Sequence, residues 1–284
     1  MKNILLVISF FQLLAVSSCN NDVDFGEQYR KTVYLLNGKN LLYTGEHSYG
    51  EENHVEFSIY CASSEPIKDD LTVRVKIDTH ALDSLNEKNL LEGANNVNKV
   101  MLPATHYNFS GEQSVVIKAG EQYCVLAIPF QTEGLDSDIA YALPLSIVSN
   151  SAGYDINPES QSIVYEIKLV NKYSGDFSGT SAESPTQIRP VQVAVKALST
   201  DKVRLPIHNL SGDNPDTDFM LLTVAEGGTV SIEPWGNSTV VDLGGSYYDE
   251  VQQFFGLHYR FTNGDGIYSI TEKITNIMAP RIVQ

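Results

Sequence analysis

Four aromatic residues in the second half of the chain lie among turn residues rather than in a core-like strand. Trp235, the single tryptophan, falls within Glu233-Pro234-Trp235-Gly236-Asn237-Ser238. Tyr247 and Tyr248 follow Gly244-Gly245, and Phe254-Phe255 comes soon after. An exposed aromatic ring can stack on the flat C–H face of a sugar while polar neighbours hydrogen-bond its hydroxyls. Successive residues of a strand point to opposite faces, so two adjacent aromatics cannot both enter one core. On that ground Trp235, Tyr247, Tyr248 and Phe254 are the candidate ligand-binding residues. The competing reading makes Trp235 a plug at one end of a barrel and the tyrosines loop anchors, because aromatics mostly supply buried area.

Other chemistries find less support. Asp213-Asn214-Pro215-Asp216-Thr217-Asp218 gathers oxygen ligands that suit calcium. Read as an EF-hand start, however, it has Phe219 where the tight-turn glycine belongs and lacks the closing glutamate. Asn, Pro and Asp in such a row also simply make turns. No G-x-S-x-G elbow, H-E-x-x-H helix or P-loop occurs, so no metal or cofactor is expected. Cys61 shares strand parity with Val55, Phe57 and Ile59, and Cys124 shares it with Leu126, Ile128 and Phe130. Both thiols therefore point inward, either joined in a disulfide or buried as two separate thiols.

The amino terminus sets the compartment. Met1-Lys2-Asn3 opens an apolar run from Ile4 to Val16, which Ser17-Ser18-Cys19 closes with small residues. This is the order of a secretory leader, and the run is too short to span a bilayer. Cys19 behind Val16-Ser17-Ser18 resembles a lipobox, which implies cleavage after Ser18 and lipid on the Cys19 sulfur. Several acyl chains would hold the protein stably, where one would hold it only reversibly. Loss of residues 1–18 moves the formal charge from −16 to −17. So acidic a body lacks the clustered bases that nucleic acid requires, and anionic headgroups would repel it. Membrane contact is thus expected through the lipid alone.

Beyond a polar tether at residues 19–29, short alternating runs are separated by turn residues. Thr32 to Leu36 and Leu41 to Thr44 flank Asn37-Gly38, a pattern that predicts a hairpin. Alternation recurs over Val55 to Cys61, Leu71 to Asp78, Gln113 to Lys118, Tyr123 to Phe130, Ala140 to Val148 and Ser162 to Val170. Ala81 to Leu91 instead spaces Leu82, Leu85 and Leu90 as in a short helix. These runs predict a β-sandwich over 30–171. A Gly- and Ser-rich stretch from Tyr173 to Gly179 marks the boundary. Seven or eight further short strands over 172–284 predict an antiparallel barrel or a second sandwich, with Asn263 to Gly266 as its last hairpin turn. The expected class is all-β.

Met101-Leu102-Pro103-Ala104-Thr105-His106-Tyr107, Val116-Ile117-Lys118-Ala119-Gly120-Glu121 and Tyr141-Ala142-Leu143-Pro144-Leu145-Ser146-Ile147 occur in this order. They resemble the immunoglobulin-like domain of unknown function of Bacteroidetes surface lipoproteins, a domain also found ahead of family-eighteen glycoside hydrolases. The block from Tyr173 to Gly179 through the Leu257-to-Ile270 hairpin is similar to the lipocalin-like β domain that often follows. The resemblance implies an immunoglobulin-like sandwich followed by a lipocalin-like barrel. It also implies capture of glycans for uptake beside an outer-membrane transporter complex. It supplies no binding residues.

Family-eighteen enzymes carry D-G-x-D-x-D-x-E, and Asp265-Gly266-Ile267-Tyr268-Ser269-Ile270-Thr271-Glu272 matches its ends. Tyr268 and Ile270 replace the two tuning aspartates, and the chain lacks the α/β barrel of roughly 250 residues that such an enzyme needs. Turn chemistry accounts for Asp265-Gly266. The expectation is a non-catalytic, lipid-anchored glycan-binding protein at the outer membrane, facing outward, with Asp22 and Asp24 in an acidic tether. The alternatives are an adhesin or structural envelope component with protein partners, and a barrel enclosing a small apolar ligand.

Overall fold

The computed structural model describes residues 30–93, 97–264 and 266–278. Cys19, with the leader and tether, lies outside these residues, as does Asp265.

Ten strands build the first domain: β1 (Thr32–Leu35), β2 (Leu42–Ser48), β3 (Asn53–Ala62), β4 (Leu71–Ile77), β5 (Val100–Met101), β6 (Glu112–Ile117), β7 (Tyr123–Phe130), β8 (Tyr141–Asn150), β9 (Asp155–Ile156) and β10 (Ser162–Val170). They form two sheets, ordered β7-β3-β1-β9 and β2-β10-β8-β4-β6, with β5 beside β8. Strand β3 shows the period-two logic plainly: Val55, Phe57, Ile59 and Cys61 are buried and their neighbours are not. They meet Val73, Val75, Leu143, Leu145 and Ile147 of the other sheet in one core. Strand β8 is buried along Tyr141–Ile147 on both faces. Its outer face lies under the helix Thr79–Glu92, whose Ala81, Leu82 and Leu85 pack on Ala142 and Val164. A strand covered on both sides reads as a continuous apolar run.

Two expectations are corrected here. Asn37-Gly38 does not close a hairpin. Asn37 takes the left-handed φ of 63°, but residues 38–40 form one 3-10 turn that carries the chain from one sheet to the other. Strand β1 pairs with β3 and β9, while β2 pairs in parallel with β10. Leu90 is 78% exposed rather than on the helix's packed face. The helix instead buries Asn89, and Asn86 ties it to residue 99 by accepting from Lys99 N (2.8 Å) and donating to Lys99 O (2.9 Å).

Nine strands form the second domain: β11 (Gly175–Ser184), β12 (Gln187–Ala197), β13 (Lys202–Pro206), β14 (Phe219–Val224), β15 (Val230–Pro234), β16 (Val241–Asp242), β17 (Tyr247–Asp249), β18 (Phe254–Asn263) and β19 (Gly266–Asn276). Their order, β15-β14-β13-β12-β11-β19-β18-β16 with β17 on β18, is antiparallel throughout and curls into a nearly closed barrel. The ends approach where Thr229 bridges Tyr247, Val230 N donates to Ser246 O (3.0 Å) and Tyr248 N donates to Gly228 O (2.7 Å). Gly228 is required there: its φ is 83°, and a Cβ would lie 2.4 Å from the Tyr248 carbonyl oxygen. Phe177, Tyr248, Phe255, Leu257, Tyr259 and Phe261 pack the interior. The predicted Asn263–Gly266 turn joins β18 to β19, with those two residues opposed.

Candidate functional site

The four nominated aromatics do not converge. Tyr247 is 47% exposed on the outer barrel face. Tyr248, next to it, points inward, packs edge-on to Tyr173 at 5.0 Å and belongs to the core. Burial, then the neighbouring Tyr173, pushes its phenol up to about 12. Phe254 faces outward but is buried beneath Tyr247, at 5.5 Å between ring centres, and beneath the Lys273 ammonium at 4.2 Å. Trp235 follows β15 at the end opposite Thr229, the residue that bridges Tyr247. Six residues at strand rise separate these ends by roughly 20 Å. One face of the indole is also occupied, since the Arg204 guanidinium lies 4.8 Å from its centre. Tyr248 and Phe254 are thus packing residues, and Trp235 belongs to an interdomain joint described below.

Alternation does locate aromatics that the sequence reading passed over. Tyr34, Tyr60 and Tyr123 lie directly across neighbouring strands β1, β3 and β7. Their rings stack in a row at 5.7 and 5.0 Å. Each has outward parity in its own strand, but only the strand register brings the three together.

Inside one end of the barrel lies a buried polar network. Tyr259 Oη accepts from His208 N (3.0 Å) and donates to Glu272 Oε2 (2.8 Å). His208 Nδ1 meets Ser181 Oγ at 2.7 Å, and its Nε2 meets Glu183 Oε1 at 3.1 Å. A carboxylate only accepts, so Nε2 carries a proton, and in the neutral imidazole Nδ1 accepts from the serine hydroxyl. The residue types resemble a Ser–His–acid constellation. Ser181 is nevertheless 0% exposed, and Glu272 only 1%. Burial raises the Glu272 carboxyl to about 7, against which the Tyr259 hydrogen bond works, and Oε1 has no hydrogen-bond partner among the described residues. Glu272 is the residue that closes the Asp265-to-Glu272 motif. It points into a packed core rather than a cleft.

The two cysteines lie on adjacent strands but in diagonal register, Cys124 being opposite Ile59 and not Cys61. They are not bonded to each other. Burial raises the Cys124 thiol to about 11. The Asp213–Asp218 carboxylates serve loop geometry: Asp218 accepts from Asn214 N (3.2 Å) and Thr217 Oγ1 (3.0 Å), and Asp216 from Asn237 Nδ2 (2.6 Å).

A cleft lies between the domains, with a volume of about 790 Å³. One wall is the outer face of β2 and β10, the other is the start of β11 and the end of β12, and residues 137–140 form a rim. Several contacts join the domains. Asn171 in the linker donates to Ser199 O (2.6 Å) and Lys202 O (3.0 Å), while Ala197 of β12 packs into the sandwich core. At the rim, Asp138 of the first domain accepts from Arg204 Nη1 and Nη2 (2.8 and 2.6 Å) and from Lys196. Arg204 lies between Phe219 (4.9 Å) and Trp235 (4.8 Å), so both rings brace the guanidinium that grips the other domain. Partial burial alone would raise the Asp138 carboxyl, but Arg204 and then Lys196 outweigh it and hold it below the ordinary value. Deeper in the cleft, Glu166 accepts from Lys99 Nζ (2.6 Å) and Thr44 Oγ1 (2.9 Å). Lys168 pairs with Glu46 at 2.8 Å.

Fold and site together define a two-domain all-β protein, a sandwich joined to a nearly closed antiparallel barrel with an open cleft at the joint. Residues 29–153 match a family model described as an N-terminal domain, and residues 161–275 match one described as a C-terminal domain. Similar solved structures come from Bacteroides. A multidomain protein including DUF1735 from Bacteroides ovatus shares 16% identity over 83% of this chain and 90% of its own, with a TM-score of 0.61. A second Bacteroides ovatus structure, of unknown function, gives 16% identity over 82% and 89%, with a TM-score of 0.60. An auxiliary nutrient binding protein from Bacteroides thetaiotaomicron gives 17% identity over 84% and 91%, with a TM-score of 0.57. These likenesses are of fold. No curated protein gives a significant match.

Proposed function

We propose that this chain is a non-catalytic lipoprotein, anchored through Cys19 to the outer membrane and facing outward, that captures glycans for uptake beside an outer-membrane transporter. The interdomain cleft carries the reading. Clefts of 300–1,000 Å³ at domain interfaces are the usual seat of ligands, and this one is about 790 Å³, open and hydrogen-bonding along both walls. Its chemistry favours binding over hydrolysis. A glycosidase needs one carboxylic acid kept protonated across the scissile bond from an ionised partner. In the cleft, Glu166, Asp138 and Glu46 contact cations and Asp176 is exposed to solvent, while the carboxyl raised to about 7 is Glu272, sealed in the barrel. The aromatic packing of the barrel likewise disfavours a hollow lipocalin-type ligand site. The fold neighbour described as nutrient binding supports the same reading.

A glycan array and calorimetry on soluble protein starting at Asn20 test the capture role. Ala194 points outward from β12 into the cleft, between buried Val193 and Val195. Ala194→Trp should therefore abolish binding without touching the core, and Tyr247→Ala should leave it unchanged. The reverse pattern would move the site to the barrel's outer face. For the anchor, incorporation of labelled palmitate in cells should disappear in Cys19→Ala, and persistent label would refute it.

A further inference from the structure

The charge pattern of the cleft defines which ligands it takes. Four acids (Glu46, Asp138, Glu166 and Asp176) and three bases (Lys99, Lys168 and Lys196) line it, and Arg204 stands directly behind Asp138 as a fourth base. The lining alone carries one excess negative charge, and it balances once Arg204 is counted, on a chain whose net charge is −16. The pairing is also local: Lys99 with Glu166 at 2.6 Å, Lys168 with Glu46 at 2.8 Å, and Lys196 with Arg204 on Asp138. Only Asp176 contributes a carboxylate with no ion-pair partner among the described residues, and it is exposed to solvent.

We infer that the cleft selects neutral, hydroxyl-rich ligands and rejects those bearing carboxylates or sulfates, an inference that rests on the cleft being the binding site. Each paired ammonium still has spare N–H donors, and each paired carboxylate has spare lone pairs. Hydroxyl groups can use both at once without separating an ion pair. An anionic ligand would have to displace Glu46, Asp138 or Glu166 from its cation, or remain unpaired next to them. Like charge at an interface is costly, and the acidic body adds repulsion out to the Debye length of about 8–10 Å. A cationic ligand has only the solvated Asp176 to meet.

The test compares neutral gluco-, manno- and galacto-oligosaccharides with oligogalacturonides and chondroitin sulfate oligosaccharides of equal length, by calorimetry on the protein starting at Asn20. The best neutral ligand should bind at least about tenfold tighter than any anionic one. Glu46→Gln, at an exposed pair, leaves Lys168 without its carboxylate and should narrow that gap at low salt. An anionic oligosaccharide binding as tightly as the neutral ones, with binding still lost in Ala194→Trp, overturns the selectivity and leaves the capture role standing. A gap unchanged by Glu46→Gln overturns charge pairing as its cause. If neither set binds, the capture reading itself fails.

Discussion

The barrel interior and the interdomain cleft both collect carboxylates, but the protein treats them in opposite ways. In the barrel, Glu272 is taken out of water with one phenol as partner and no cation among the described residues, so burial pushes its pKa up to about 7. In the cleft, Asp138 keeps 43% of its side-chain exposure and two cations, which hold its pKa down. Desolvation acts on both, and the presence of a cation decides the sign. A carboxyl that titrates near neutrality is therefore no mark of catalysis by itself. Here it lies in the packed barrel interior, while the cation-paired carboxylates line the cleft in which we propose the ligand binds.

The largest test of this contrast is Glu272→Gln. The folded pKa of about 7 lies above the ordinary 4.5, so the fold favours the protonated form. Its stabilisation is intact below about pH 4.5, declines as pH rises toward 7 and is gone above that. Relative to Glu272→Gln, the native protein should lose about 2–3 kcal/mol of unfolding free energy between pH 5 and pH 8. Urea midpoints at the two pH values measure the difference. A flat difference would mean that the carboxylate is satisfied in the barrel, and the contrast with the cleft would disappear.

Glu272 also shows what can be read from the chain and what cannot. Alternation in Val55 to Cys61 reveals an inward face because each choice is local, and the apolar run of β8 is a direct consequence of a helix above it. Where β10 ends, Asn171 and Ser174 build a tight hydrogen-bonded turn. Asn37-Gly38 misleads because positive φ signals a change of direction, not the partner of the strand that follows. That partner, β10, lies more than a hundred residues away. A glutamate at an inward position breaks the alternation, yet only the register beside Ser181 and Leu257 shows that it enters a core. The cleft is less legible still, since Lys99, Asp138, Glu166 and Lys196 come from four separate segments and two domains. The aromatics looked like site residues for a physical reason: Trp235 does lie in a turn and does meet a polar group, but that group is the protein's own Arg204.

A middle-sized effect is expected at the joint. Asp138→Ala would leave the Arg204 guanidinium buried against two rings with no anion among the described residues, where its Nε already lacks a hydrogen-bond partner. Breaking a fully buried pair costs about 3–5 kcal/mol. Asp138 is partly solvated, which reduces the expected loss to about 2 kcal/mol. Small-angle scattering should also show a broader range of domain arrangements, since the rim of the cleft loses its clamp. A loss below roughly 0.5 kcal/mol with an unchanged scattering profile would show that the linker at Asn171 alone holds the domains, and that the ion pairs do not shape the cleft.

The smallest effect sharpens the contrast from the other side. Glu46 and Lys168 are 62% and 59% exposed in their side chains, and an exposed pair at 2.8 Å is worth no more than about 1 kcal/mol before salt screens it. Glu46→Gln and Lys168→Met should each change the urea midpoint by less than roughly 0.5 kcal/mol equivalent at physiological salt. The pair faces one wall of the cleft and braces no core residue, so its charges are free to act on what enters. If either substitution instead costs as much as Asp138→Ala, the pair is structural: the cleft walls would then be held by their charges, and their neutrality would reflect stability rather than ligand choice.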